Sequence, residues 1–242
     1  MSLQPKGPRE PFFGATPWTA VLIAGSILAL YFLQSQVEES TPVVADLALI
    51  PARLAQGYWV GVFGHMLLHG SWVHALSNAG GALIFGTPVA RAIGERGVQP
   101  LAFLLFYIVC GVLAGGLYGL LVLYAAAGGV PGFHPNPLEP MVGASGAISG
   151  LYGAASRLIE QPGRLGPVFS RTAVGMGAAF LVLNVFFAAF GFTPGSGGQA
   201  VAWQVHIIGY FAGLLLIGPW LAAVGHRFGP AAPAFERPGV EP

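Results

Sequence analysis

The sequence predicts an all-α membrane protein, a bundle of six transmembrane helices with a structured outer loop between helices one and two. Composition is the first reason. Of 242 residues, 55% are hydrophobic and 8% charged, with a mean hydropathy of +0.70, a balance foreign to water-soluble domains. The placement of charge is the second, because the few Asp, Glu, Lys and Arg leave uncharged tracts at 11–37, 54–90, 97–138, 140–156 and 172–226. Each is long enough for a membrane helix of about 17–25 residues, and the last has room for two. The third is the side on which basic residues fall once six spans are drawn. A net charge of +1 with no basic tract sets nucleic acid aside as a partner. Cys110, the one cysteine, sits in an apolar run and can form no intramolecular disulfide.

The first apolar run, Trp18 to Leu33, follows Lys6, Arg9 and Glu10 and resembles in position the core of a signal peptide. It continues through Tyr31, Phe32, Leu33 and Gln34 with no small-x-small exit, and is read as a retained span. Residues 37–72 carry Glu38, Glu39 and Asp46, then Trp59, Phe63, Met66, Leu67, Leu68 and Trp72, a pattern for short helices at the membrane interface. Further spans are expected at about 73–91, 101–124, 143–159, 172–190 and 203–222. The fourth is the shortest, bracketed by Glu139-Pro140 and Glu160-Gln161-Pro162. Between spans three and four, Gly128, Gly129, Pro131, Pro135, Pro137 and Pro140 predict an irregular connection over 125–142. Residues 1–16 are expected to form a cytoplasmic N-terminal segment, 17–224 the six-helix domain, and 225–242 a cytoplasmic Pro- and Ala-rich tail.

Six spans put both termini on one side. Lys6, Arg9, Arg91, Arg96, Arg157, Arg164, Arg171, Arg227 and Arg237 fall on that side and Arg53 alone on the other, which places the termini in the cytoplasm. One span more or fewer would scatter these residues over both faces. The expected location is the bacterial inner (plasma) membrane.

Polar side chains inside such spans need a reason. His74, Asn78, Ser145 and His206 all lie within about two turns of the outer end of spans two, four and six, so they share a depth that water can reach through a cavity. A serine hydroxyl becomes a useful nucleophile when a neutral imidazole takes its proton, and Ser145 and His206 are the residues placed to pair. Gly143, Ala144 and Gly146 leave little bulk around Ser145. The first N–H groups of its helix lack intrahelical acceptors and can donate to a developing oxyanion, as could side chains of His74 and Asn78 one turn apart. Gly143-Ala144-Ser145-Gly146 also fits an ordinary small-residue packing face, and Asn78, His74 and His206 each fit a structural hydrogen-bonding role when taken alone. No carboxylate is placed to orient His206, so the expectation is a serine–histidine pair with packing holding the imidazole. His65 and His69 share a helical spacing with no adjacent carboxylate, so no metal site is expected; they are read as bonding the outer loop to the helices. No phosphate-binding loop or dinucleotide fingerprint occurs, and no cofactor or nucleotide is expected.

At this point the chain resembles the rhomboid family of intramembrane serine proteases, over nearly all six spans. The run His65-Met66-Leu67-Leu68-His69-Gly70-Ser71-Trp72-Val73-His74, followed by Asn78, is similar to the family's histidine-rich approach to its second helix. Gly143-Ala144-Ser145-Gly146 resembles its nucleophile motif, and His206 with Gly209 and Gly213 resembles its sixth-helix motif. The resemblance implies Ser145 as nucleophile, His206 as general base and then acid, and His74, Asn78 and the Ser145 backbone as oxyanion support. It further implies that Gly143, Gly146, Gly209 and Gly213 serve close helix packing. Substrates would be single-span or other transmembrane proteins in the lipid bilayer, admitted between helices two and five, with small residues beside the scissile bond. Two positions depart from the pattern: Ser149 stands where many members carry an aromatic residue, and Trp59 is followed by Val60 where an arginine is frequent. The rival readings are a non-catalytic relative that binds membrane segments and a small transporter, which would show ionisable residues at mid-depth on several helices.

Overall fold

The computed structural model describes residues 16–37, 41–160, 164–190 and 202–225. Most of the expected terminal segments, with Lys6, Arg9, Arg227 and Arg237, lies outside the described residues, as do Glu38 and Glu39. The described residues are helical with no β-strand: α1 (Trp18–Gln34), α2 (Pro42–Leu47), α3 (Pro51–Leu54), α4 (Gly61–Gly64), a 3-10 turn (His65–Leu67), α5 (Trp72–Ile93), α6 (Gln99–Ala126), α7 (Ser145–Ser156), α8 (Arg171–Phe190) and α9 (Trp203–Ala223). Two of them, α6 and α9, are long and apolar enough to cross a bilayer by length and composition alone. Helix α1 and the Arg171–Phe187 part of α8 are apolar but shorter by the same measure.

Local sequence explains the boundaries. Ser71 caps α5, its hydroxyl accepting the His74 N–H at 3.1 Å, which satisfies one of the free amides at a helix start. Pro42 and Pro51 sit in the first turns of α2 and α3, where a missing N–H costs nothing. Helix α7 is shorter than the expected 143–159. Gly143 adopts φ +126°, a conformation that stops the helix before Ser145. At the other end the Arg157 side chain leaves the helix line to donate to the carbonyls of Gly166 and Leu214, both at 2.9 Å. Twelve residues make a rod of only about 18 Å, well short of a hydrocarbon layer of about 30 Å.

Around this short rod the other helices close. Ten residues of α7 are buried, which is possible because small residues line its sides and its neighbours come near. A side-chain carbon on Gly209 would collide with the Gly146 carbonyl, and one on Gly213 with that of Gly150, so α7 and α9 touch backbone to backbone. Gly143 does not belong to this contact: it precedes α7, faces the His74 ring, and needs to be glycine for its conformation. The main apolar core lies beyond the site along α7, with Val89 and Ile93 of α5, Phe103 and Phe106 of α6, Leu151 of α7 and Ile217 and Leu221 of α9. The outer faces of the long helices carry exposed Leu76, Ile84, Leu101, Leu117, Val182, Phe186, Phe211 and Leu215. Apolar residues outside and His65, His69, Asn78, Ser149 and Asn184 buried inside are the arrangement expected of a protein dissolved in lipid.

Between α1 and α5 the chain packs as short helices fastened to the bundle. Gln34 at the end of α1 brackets His69, its amide nitrogen donating to the His69 carbonyl at 2.8 Å and its oxygen accepting the His69 N–H at 3.0 Å. Leu49 pairs with Met141 through two backbone bonds of 3.0 and 2.9 Å, tying this segment to the α6–α7 connection. That connection, 127–144, contains no helix.

Candidate active site

Ser145 opens α7, and His206 is the fourth residue of α9. Because glycines let these two helices touch, the side chains meet: the Ser145 hydroxyl oxygen and His206 Nε2 are 2.8 Å apart. The second ring nitrogen is also engaged. His206 Nδ1 lies 2.8 Å from Oδ1 of Asn184, a buried residue of α8. Asn184 donates its own amide nitrogen to the Phe180 carbonyl one turn back, at 2.8 Å, so its oxygen faces the imidazole. An acceptor at Nδ1 requires the proton there, leaving Nε2 bare to accept from Ser145.

The expectation that packing alone holds His206 is therefore corrected: a carboxamide from α8 holds it. Asn184 was not singled out in the sequence, because its partner lies 22 positions away on another helix. A signal existed, since Asn184 and Thr172 are the only polar side chains in 172–190, and an amide there needs a partner. Ser149, at the position where an aromatic residue was noted as missing, donates its hydroxyl to the Ser145 carbonyl at 2.7 Å and does not touch the imidazole network.

His74 approaches from α5. Its Nδ1 accepts the Gly70 N–H at 3.4 Å, which puts the proton of the neutral ring on Nε2, the opposite tautomer to His206. The position a Gly143 side-chain carbon would take is 2.8 Å from His74 Nε2 and 3.6 Å from the Ser145 hydroxyl. Glycine keeps open the space between a donor and the serine. Asn78, one turn further along α5, is 5% exposed, and its side-chain nitrogen has no hydrogen-bond partner among the described residues. The N–H of Ser145 opens α7 and has no intrahelical acceptor.

The turn that carries Ser145 is held by His65. Its Nδ1 donates to the Gly143 carbonyl at 3.0 Å, and its own carbonyl accepts the Gly143 N–H at 2.8 Å. His69 is 1% exposed and packs edge-on against His74, with ring centroids 5.1 Å apart, and against Tyr31. Among the described residues no three His, Cys, Asp or Glu side chains converge as metal ligands would.

Fold and site together define the class: an integral membrane protein, helical among the described residues, with a serine and a histidine hydrogen-bonded to each other between two of its helices. The sequence model of the Rhomboid domain matches residues 56–222, and the chain belongs to the rhomboid family, whose members are generally intramembrane serine proteases and include inactive ones. No curated protein sequence matches the chain.

Proposed function

We propose that the protein is an active intramembrane serine endopeptidase that cuts transmembrane proteins near the outer face of the membrane. The observation that carries this reading is the 2.8 Å contact between the Ser145 hydroxyl and His206 Nε2, with Nδ1 of the same ring already committed to Asn184. In the reaction His206 takes the Ser145 proton as the hydroxyl oxygen attacks a peptide carbonyl. The carbonyl oxygen becomes an oxyanion that the N–H of Ser145, the Nε2–H of His74 and the otherwise unpartnered Asn78 amide serve as donors. His206 then gives the proton to the leaving amine, and water hydrolyses the acyl-enzyme with the histidine again as base.

The six-span arrangement fits this chemistry. The six helices of 12 or more residues, α1 and α5 to α9, correspond to the six apolar segments. Alternate crossing puts Arg91, Arg96, Arg157, Arg164 and Arg171 on the cytoplasmic side with both termini and opens the site to the outer side. The shortness of α7 sets Ser145 below the surface, within reach of outside water. A helical peptide bond is shielded by its own turn, so substrates need a segment that opens into extended chain, with glycine or other helix-weakening residues near the outer end of a span. Access lies between α5 and α8. A non-catalytic segment-binding role is the less favoured reading, because the reacting side chains are both present and in contact.

The test is cleavage, in proteoliposomes, of single-span reporters that differ only in carrying Gly-Gly or Leu-Leu near the outer boundary. The Gly-Gly reporter should be cut at the outer end of its span and Ser145→Ala should cut neither. Cleavage that persists in Ser145→Ala would reject the proposal, as would binding of both reporters with no cleavage by the unmodified protein.

A further inference from the structure

Helix α8 is fixed against its neighbours by two tyrosine hydroxyls: Tyr152 of α7 donates to the Met176 carbonyl at 3.1 Å, and Tyr210 of α9 to that of Ala173 at 3.0 Å. The Phe180 ring stacks on both tyrosines, with centroids 4.9 and 5.6 Å away. One turn beyond Phe180 stands Asn184, and the Phe180 carbonyl holds its amide nitrogen. The tyrosine bonds and the stack thus hold the helix that carries Asn184, and the bond to the Phe180 carbonyl directs its amide oxygen toward α9. The group it faces is the Nδ1 of His206, at 2.8 Å. No Asp, Glu, Lys or Arg occurs in 172–226, so α8 and α9 bring no ionised neighbour; Ser145 faces the ring from α7 and His74 is the titratable side chain nearby from α5.

We propose that Asn184 is a positioning residue for the reaction described above: by accepting the His206 Nδ1–H it holds the imidazole in the tautomer and rotation in which Nε2 can take the Ser145 proton. It rests on the reading of Ser145 and His206 as nucleophile and base. Without the amide oxygen the ring is free to turn about its bond or to carry its proton on Nε2, and in either case the serine loses its base. A neutral amide does this without adding charge, which suits a site surrounded by apolar helices where a carboxylate would be costly to bury. The role differs from packing in what it makes sensitive: a packing residue sets stability, whereas an acceptor at Nδ1 sets the basicity and orientation of Nε2.

The experiment is the rate of fluorophosphonate attachment to Ser145 across pH in the purified full chain, for the unmodified protein and for Asn184→Leu, Asn184→Ala and Asn184→Asp, with unfolding temperatures measured alongside. Leu and Ala differ in bulk but both lack the acceptor, so both should slow labelling on the order of 100-fold. The Asp variant restores an acceptor with a negative charge; it should recover most of the rate and move the acid limb of the profile to higher pH. Labelling of Asn184→Leu or Asn184→Ala at the unmodified rate would overturn the inference, as would an Asp variant that neither recovers rate nor moves the limb. If the unmodified protein takes no label at Ser145 at any pH, the protease reading itself fails, an outcome distinct from either.

Discussion

Asn78 offers a sharp test among single residues, because its buried amide nitrogen has no partner among the described residues and the proposed mechanism assigns it the oxyanion. Removing one such donor typically costs about 3 kcal/mol of transition-state stabilisation. Asn78→Ala should accordingly lower kcat for reporter cleavage roughly 100-fold with little change in KM, whereas a purely structural amide would show its loss in the unfolding temperature instead. His65 and His69 give a second test, on stability. Burial holds the His65 imidazole down to about 4 and that of His69 to about 3, the latter assisted by neighbouring His74. Both are neutral in the folded protein, while in the unfolded chain they take up protons near the ordinary value of 6.5. Their contribution to stability is complete above about pH 6.5 and declines as pH falls from there toward 4. The unfolding temperature should drop over that range, and drop less in a His69→Phe variant; parallel profiles would contradict the assignment. At this scale the sequence pointed to Ser145 and His206, which meet in the structure, because each interrupts an apolar run; His74 and Asn78 were singled out on the same ground. Asn184 was hidden because its meaning lies in the His206 ring on the following helix.

Helices α7 and α9 carry the geometry of the pair. Their backbones meet at Gly146 with Gly209 and at Gly150 with Gly213, so a methyl group at Gly209 acts as a wedge one turn from His206. Gly209→Ala should separate the helices at a cost of about 1–3 kcal/mol and slow Ser145 labelling roughly 100-fold through displacement of the base. Gly175→Ala, whose added carbon meets open space on α8, should change neither. Equal behaviour of the two variants would show that close contact does not set the site. Most of the long helices were legible because charged residues bound their uncharged tracts, although α8 and α9 share the tract 172–226, and the glycine pair on α9 because its spacing brings both members to one face. The length of α7 was not: Pro140 and Glu160 mark where the apolar run ends, whereas the φ of +126° at Gly143 and the bonds of Arg157 decide where the helix ends. No residue count predicts those.

Over the whole molecule, the proposed protease needs a polar interior opening to the outer side of a bilayer and a lipid-facing exterior. Orientation can be read in intact cells, because Cys110 is buried against Gly150 and a Cys110→Ala protein accepts single new cysteines. His134→Cys in the α6–α7 connection should react with a membrane-impermeant maleimide from outside, and Val98→Cys between α5 and α6 only after lysis; the reverse pattern would invert the topology and place the site on the cytoplasmic side. The proposed function, however, turns on the activation of one serine by this bundle. The most direct measurement is fluorophosphonate labelling of the purified protein followed by mapping of the adduct, with Ser145→Ala and His206→Ala beside it, since it requires no knowledge of the natural substrate. One adduct is expected, on Ser145, absent from both variants. No adduct under conditions where an authentic serine hydrolase reacts, or an equal adduct in Ser145→Ala, would contradict it and leave a membrane-segment binder as the better description.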